Sequence, residues 1–163
     1  MNVMSCIETR IANKRDFLRL AEIDRLAWVD NSNSEFIPDG EHIWRLWVEY
    51  SRVFVVEIDG RIIGASIMFI SDDHDLLYLL HKMFVNKEYR GIGCGKLMFN
   101  EIAQCLDKCQ KACMFTTDPE NKGMQILSSQ FGFAKARFEK SYYRDNEDRL
   151  IMMRYPRKEV DRL

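Results

Sequence analysis

Residues 89–96 read YRGIGCGK and follow the most strand-like run of the chain, LLYLLHKMFV at 76–85. Of the eight glycines, three (Gly91, Gly93 and Gly95) fall within this one stretch. Downstream, Met98, Ile102, Cys105, Leu106 and Cys109 recur at helical spacing, so the glycines join a strand end to a helix start. The first N–H groups of a helix have no partner within it, and the helix dipole favours negative charge there. Bare glycines let an anion approach the main chain. Arg90 and Lys96 add positive charge at either end. The stretch therefore reads as an anion site, most naturally for a phosphate or pyrophosphate. The plainer reading is a glycine-rich turn that binds nothing.

Working outward, CIETRIA (6–12) alternates like a strand, and from Asp16 apolar residues recur at helical spacing as far as Ala27. DNSNSEFIPDG (30–40) reads as a loop, with Asp39 expected to cap a second helix, EHIWRLWVEY (41–50). Trp44 and Trp47 on that helix are expected in packing. RVFVVEIDGRIIGASIMFI (52–70) places two apolar runs around Asp59-Gly60, the signature of a tight antiparallel hairpin. After the glycine loop and its helix, KACMFTT (111–117) reads as a strand and ENKGMQILSSQF (120–131) as a short helix stopped by Gly132. AKARFEKSYY (134–143) and RLIMMRY (149–155) read as two strands joined by the polar turn RDNED (144–148). The order is β-α-α-β-β-β-α-β-α-β-β. It predicts an α+β fold, a mixed and mostly antiparallel central sheet with flanking helices, in a single domain over 1–163. A parallel crossover belongs at the strand–glycines–helix–strand unit.

Composition narrows the function. The chain has 163 residues, 47% hydrophobic and 30% charged, with a net charge of −1. That balance argues against a nucleic-acid or anionic-membrane partner. The start MNVMSCIETR lacks the basic flank and apolar run of a secretory signal, so a cytoplasmic setting is expected. Cys105, Cys109 and Cys113 fall every fourth residue. With no CxxC pair and no nearby histidine they read as reduced, packed thiols, and no metal is expected. The acidic clusters SDDHD (71–75) and RDNED read first as solvated turns.

Two phosphate loops fail to match. A nucleotide P-loop has four residues between its first glycine and Gly-Lys, then Ser or Thr. Here three separate Gly91 from Gly95, and Leu97 follows Lys96. A dinucleotide GxGxxG would need glycine at position 96. VNKEYRGIGCGKLM (85–98) instead resembles the acetyl-coenzyme A motif Arg/Gln-x-x-Gly-x-Gly/Ala of the GNAT N-acetyltransferases, as Arg90-Gly91-Ile92-Gly93-Cys94-Gly95. NKGMQILSSQFGF (121–133) is similar to a second family segment at Asn121, Leu127, Gly132 and Phe133, but not at Met124 or Ser128. GFAKARFEKSYYRDNEDRLIMM resembles the tail of Nα-terminal acetyltransferases, and LHKMFV the central strand of arylalkylamine acetyltransferases.

The resemblance implies acetyl-CoA as co-substrate and a primary amine of a small molecule or peptide as acceptor, with a homodimer left open. It implies that backbone groups of Met83, Phe84 and Val85 receive the pantetheine arm. Gly91, Ile92, Gly93, Cys94, Gly95 and Lys96, with Arg90, would hold the pyrophosphate, and Asn121 would contact the cofactor. Where the family often has an acidic tyrosine, this chain has Ser128, a poorer acid, so the thiolate would be protonated by Ser128 itself, by a water, or by Tyr142 or Tyr143 on a neighbouring strand. Thr116 stands where the Nα-terminal enzymes carry a glutamate base. His81 is expected on the strand face of Met83 and Val85, as the group that deprotonates the amine. The rival expectation is an acyl-CoA sensor that keeps the glycine loop and lacks catalysis.

Overall fold

The computed structural model describes residues 6–29, 38–71 and 77–158. Most of the expected 30–40 loop (30–37) and residues 72–75 of the first acidic cluster lie outside them. The elements run in the expected order: β1 Ile7–Ile11, α1 Phe17–Val29, α2 Glu41–Tyr50, β2 Arg52–Ile58, β3 Arg61–Ile70, β4 Leu77–Val85, α3 Cys94–Cys109, β5 Ala112–Thr117, α4 Lys122–Ser129, β6 Ala134–Glu139 and β7 Arg149–Arg154. A short 3-10 turn, Lys87–Tyr89, precedes the glycines. The strands form one sheet in the order β1-β2-β3-β4-β5-β7-β6. Pairs β1–β2, β2–β3, β5–β7 and β6–β7 are antiparallel, and β4 pairs with β5 in parallel. The expected crossover through α3 is thus present.

The chain divides into two compact units, Met1–Phe69 with His81–Met98, and Ile70–Leu80 with Phe99–Leu163. In the first, the helical spacing of α1 turns Leu20, Ala21 and Ile23 inward, and that of α2 turns in Trp44 and Val48. They pack on Val53, Val55, Ala65 and Ile67 of the hairpin. Asp59 and Gly60 take φ of 49° and 76° at the turn, the paired positive values that a two-residue hairpin favours. Asp39 does not cap α2. Gly40 holds that position without a side-chain bond, and the Asp39 carboxylate accepts from Lys82 instead. A charged partner in a poorly hydrated setting outweighs a neutral N–H.

Gly64 on β3 is a close approach that the sequence pattern hides. A Cβ there would lie 2.6 Å from the Phe84 carbonyl oxygen and 3.1 Å from Val85 Cα. Both are backbone atoms and cannot rotate away. Gly64→Ala is expected to cost about 1–3 kcal/mol through overpacking, read as a lower midpoint in urea. An unchanged midpoint would mean that the end of β4 is not pressed against β3.

In the second unit Phe99 of α3 packs with Phe115, Phe131 and Phe133 at centroid distances of 5.7–6.3 Å. Arg154, 2% exposed, donates through Nε to the Phe131 carbonyl at 2.7 Å and through Nη2 to Asp107 at 2.8 Å. Cys113 is buried, and burial pushes its thiol up to about 12, which leaves it inert. One expected strand is shorter than its pattern. β6 ends at Glu139, and Tyr142 and Tyr143 lie in the connection to β7. Ser141 takes a positive φ of 50° there, and its N–H donates to Asp148 at 2.8 Å. The Tyr142 N–H donates to the Glu147 carbonyl at 3.0 Å. Bonds within the loop thus replace the ladder.

Candidate functional site

The glycine loop is built by hydrogen bonds at both ends. The Asn86 N–H donates to the Ile63 carbonyl at 2.8 Å, which fixes the exit from β4. Gly91 and Gly93 then take φ of 83° and 99°, values that other residues adopt only with strain. A Cβ on either would meet no protein atom within 4 Å, so these glycines serve backbone conformation and leave open space. The Gly93 carbonyl accepts the first helical bond, from Leu97 N–H at 3.1 Å. The N–H groups of Cys94, Gly95 and Lys96 consequently begin α3 with no main-chain acceptor among the described residues. Ile92 is 48% exposed, and the Cys94 side chain turns into the core beside Val56, Ile63 and Met98. Cys94 can therefore offer only its main chain. Arg90 is partly committed, since its Nε donates to the Val85 carbonyl at 3.0 Å.

Along β4, Met83 and Val85 pack in the same cluster as Cys94, whereas Phe84 meets Trp44 edge-on at 5.9 Å. Their side chains serve packing, leaving only main-chain groups for a ligand. His81 does not join Met83 and Val85. Its ring lies 5.4 Å from both Trp47 and Phe69, apolar surfaces that draw the half-exposed imidazole toward α2. Desolvation on these rings and the nearby Lys82 ammonium hold its pKa below the ordinary histidine value, against the opposing pull of Asp39 and Asp24. The ring is therefore neutral at neutral pH.

Sequence reasoning missed the group beside it. Asp24, fully buried on α1, accepts from Trp28 Nε1 at 2.9 Å, Trp44 Nε1 at 3.0 Å and Lys82 Nζ at 3.0 and 2.8 Å. The Lys82 side chain is 8% exposed and also donates to Asp39. A signal existed: Asp24 stands four residues after Leu20, on the apolar stripe of α1.

The second unit carries the other expected residues. Asn121 caps α4, accepting from Met124 N–H at 3.0 Å through its side-chain oxygen. This leaves its amide nitrogen to donate elsewhere. Ser128 is fully buried and donates to the Gln125 carbonyl at 3.2 Å. The Tyr143 hydroxyl lies 3.1 Å from Thr116 Oγ1, with the Arg149 guanidinium 5.1 Å from its ring centre. Among the described residues no cluster of His, Cys, Asp and Glu could hold a metal ion, and no helix is long and apolar enough to cross a membrane.

Residues 49–135 match the family model described as an acetyltransferase (GNAT) domain. The chain belongs to the GNAT acetyltransferase family. No curated protein sequence matches it. Among solved structures it is similar to the ribosomal-protein-S18-alanine N-acetyltransferase of Escherichia coli, at 18% identity and a TM-score of 0.77, over 97% of this chain and 99% of that one. YncA of Salmonella typhimurium, solved with its cofactor acetyl-CoA, superposes with a TM-score of 0.81 at 16% identity, over 94% and 96% of the two chains. An N-acetyltransferase of Staphylococcus aureus Mu50 gives 0.81 at 16% identity, over 93% and 99%. These likenesses are of fold.

Proposed function

We propose that this protein is an N-acetyltransferase that moves the acetyl group of acetyl-CoA to a primary amine of a small molecule or peptide by direct attack in a ternary complex. The observation that carries this is the row of open N–H groups at residues 94–96, reached past two glycines of positive φ. Their donors and the helix dipole suit a pyrophosphate, so the residues present fit coenzyme A. Bound there, acetyl-CoA supplies a thioester carbonyl activated for attack.

The chain's own residues then have separable roles. Lys96 adds charge beside the loop, and Asn121 offers its amide nitrogen to the cofactor. The pantetheine arm would run along the end of β4 at Met83, Phe84 and Val85, where Arg90 occupies the Val85 carbonyl. His81, neutral at neutral pH, takes the proton that the incoming ammonium must lose. Tyr143, oriented by Thr116, returns a proton to the departing thiolate in place of Ser128. Holding the two reactants together supplies most of the acceleration.

His81→Ala is expected to lower kcat by about a hundredfold while leaving acetyl-CoA affinity near that of the wild type, measured by coenzyme A release on a panel of amines. The acidic limb of kcat/KM belongs below the ordinary histidine value, because His81 must be deprotonated to act and its pKa is lowered. An unchanged rate across the pH range removes His81 from the mechanism. Burial of Ser128 favours a second reading, a non-catalytic acyl-CoA sensor. Tight acetyl-CoA binding with no turnover on any amine selects it.

A further inference from the structure

One oxygen of Asp39 has two neighbours. Lys82 Nζ donates to Asp39 Oδ2, and His81 Nε2 lies 3.8 Å from the same atom, beyond hydrogen-bond length. A carboxylate next to an imidazole ordinarily closes on it and stabilises the protonated ring. Here the same oxygen is also bound by the Lys82 ammonium. Lys82 is itself held by both oxygens of buried Asp24, which two indole N–H groups also fix.

We propose that Lys82 is a positioning residue for His81: by tying Asp39 to itself it keeps that carboxylate off Nε2, and so keeps the imidazole open to accept a proton. The proposal rests on the reading of His81 as the base. Among the described residues, the charged groups facing His81 are Lys82 on β4, Asp39 just before α2 and Asp24 on α1. The other surfaces against it, Trp47 and Phe69, are uncharged. Both carboxylates are therefore engaged by one ammonium, and its removal releases Asp39, the more exposed of the two.

The test follows the His81 resonance by NMR in protein with isotope-labelled histidine. The chain has three histidines, and the His81 signal is the one lost in His81→Gln. Lys82→Gln, which keeps an amide donor for Asp24, is expected to raise the His81 pKa and to move the acidic limb of kcat/KM up with it. Adding Asp39→Asn to that variant is expected to bring the value back toward wild type. Lys82→Arg, which retains the charge, should leave it in place.

An unmoved pKa in Lys82→Gln overturns the proposal, as does a rise that survives loss of the Asp39 carboxylate. Should Lys82→Gln fail to fold, Lys82→Met takes its place: the same rise in the His81 pKa, reversed by Asp39→Asn, is expected, and an unmoved pKa overturns the proposal. Because the resonance is read without turnover, it remains informative if His81→Ala keeps full activity. That result would sink the assignment of His81 as base and leave the Lys82 effect to be judged by itself.

Discussion

Gly93→Glu is expected to weaken acetyl-CoA binding at least about a hundredfold, or about 2.7 kcal/mol, in calorimetry. Two effects add. Gly93 stands at φ 99°, where any side chain is strained by about 1–2 kcal/mol. The new carboxylate would also enter the space in front of the N–H groups of residues 94–96, where a phosphate would otherwise sit. Gly93→Ala separates the two, since it carries the strain without the charge, and a Cβ there meets no protein atom within 4 Å. The alanine variant should therefore keep more affinity than the glutamate variant. A folded Gly93→Glu protein with wild-type affinity would count heavily against the loop as the phosphate site.

Asp24→Ala is expected to cost about 3–5 kcal/mol of stability, the range for removing one partner of a buried ion pair. Substitution strands more than one donor. The Trp44 indole N–H loses its bond to Asp24, as does that of Trp28, and Lys82 keeps Asp39 alone among the described acceptors. Asp24→Asn retains the shape and one acceptor oxygen, and should fall between alanine and wild type. Urea unfolding checks both. A loss below about 1 kcal/mol, the scale of an exposed pair, would show that Asp24 is not the buried anchor of this group.

The geometry of the glycine loop was legible in the sequence because it depends on the main chain. Glycine spacing, a strand before it and a helical stripe after it suffice when side chains contribute little. The hairpin was legible for a similar reason, since Asp59-Gly60 names its turn. The Asp24–Lys82–Asp39 group was not legible. Lys82 is 58 residues from Asp24 and 43 from Asp39, and no local pattern encodes a contact at that separation. Lys82 read as an ordinary polar strand residue beside His81. The face assigned to His81 rested on strict strand alternation, which sets the direction of Cβ and not where a half-exposed ring comes to rest. Tyr143 lies outside the strand its pattern predicts, because positive φ at Ser141 has no signature comparable to a glycine. Ser128 shows the opposite limit: alignment of a motif says nothing about burial.

On this proposal, main-chain N–H groups at the start of α3 grip the pyrophosphate of coenzyme A. Its most direct test is titration of 15N-labelled protein with acetyl-CoA, following the amide resonances of Cys94, Gly95 and Lys96. Saturable shifts at these amides, larger than those elsewhere along α3 and absent in Gly93→Glu, are the predicted result. Saturable binding that leaves all three amides unmoved would contradict the account.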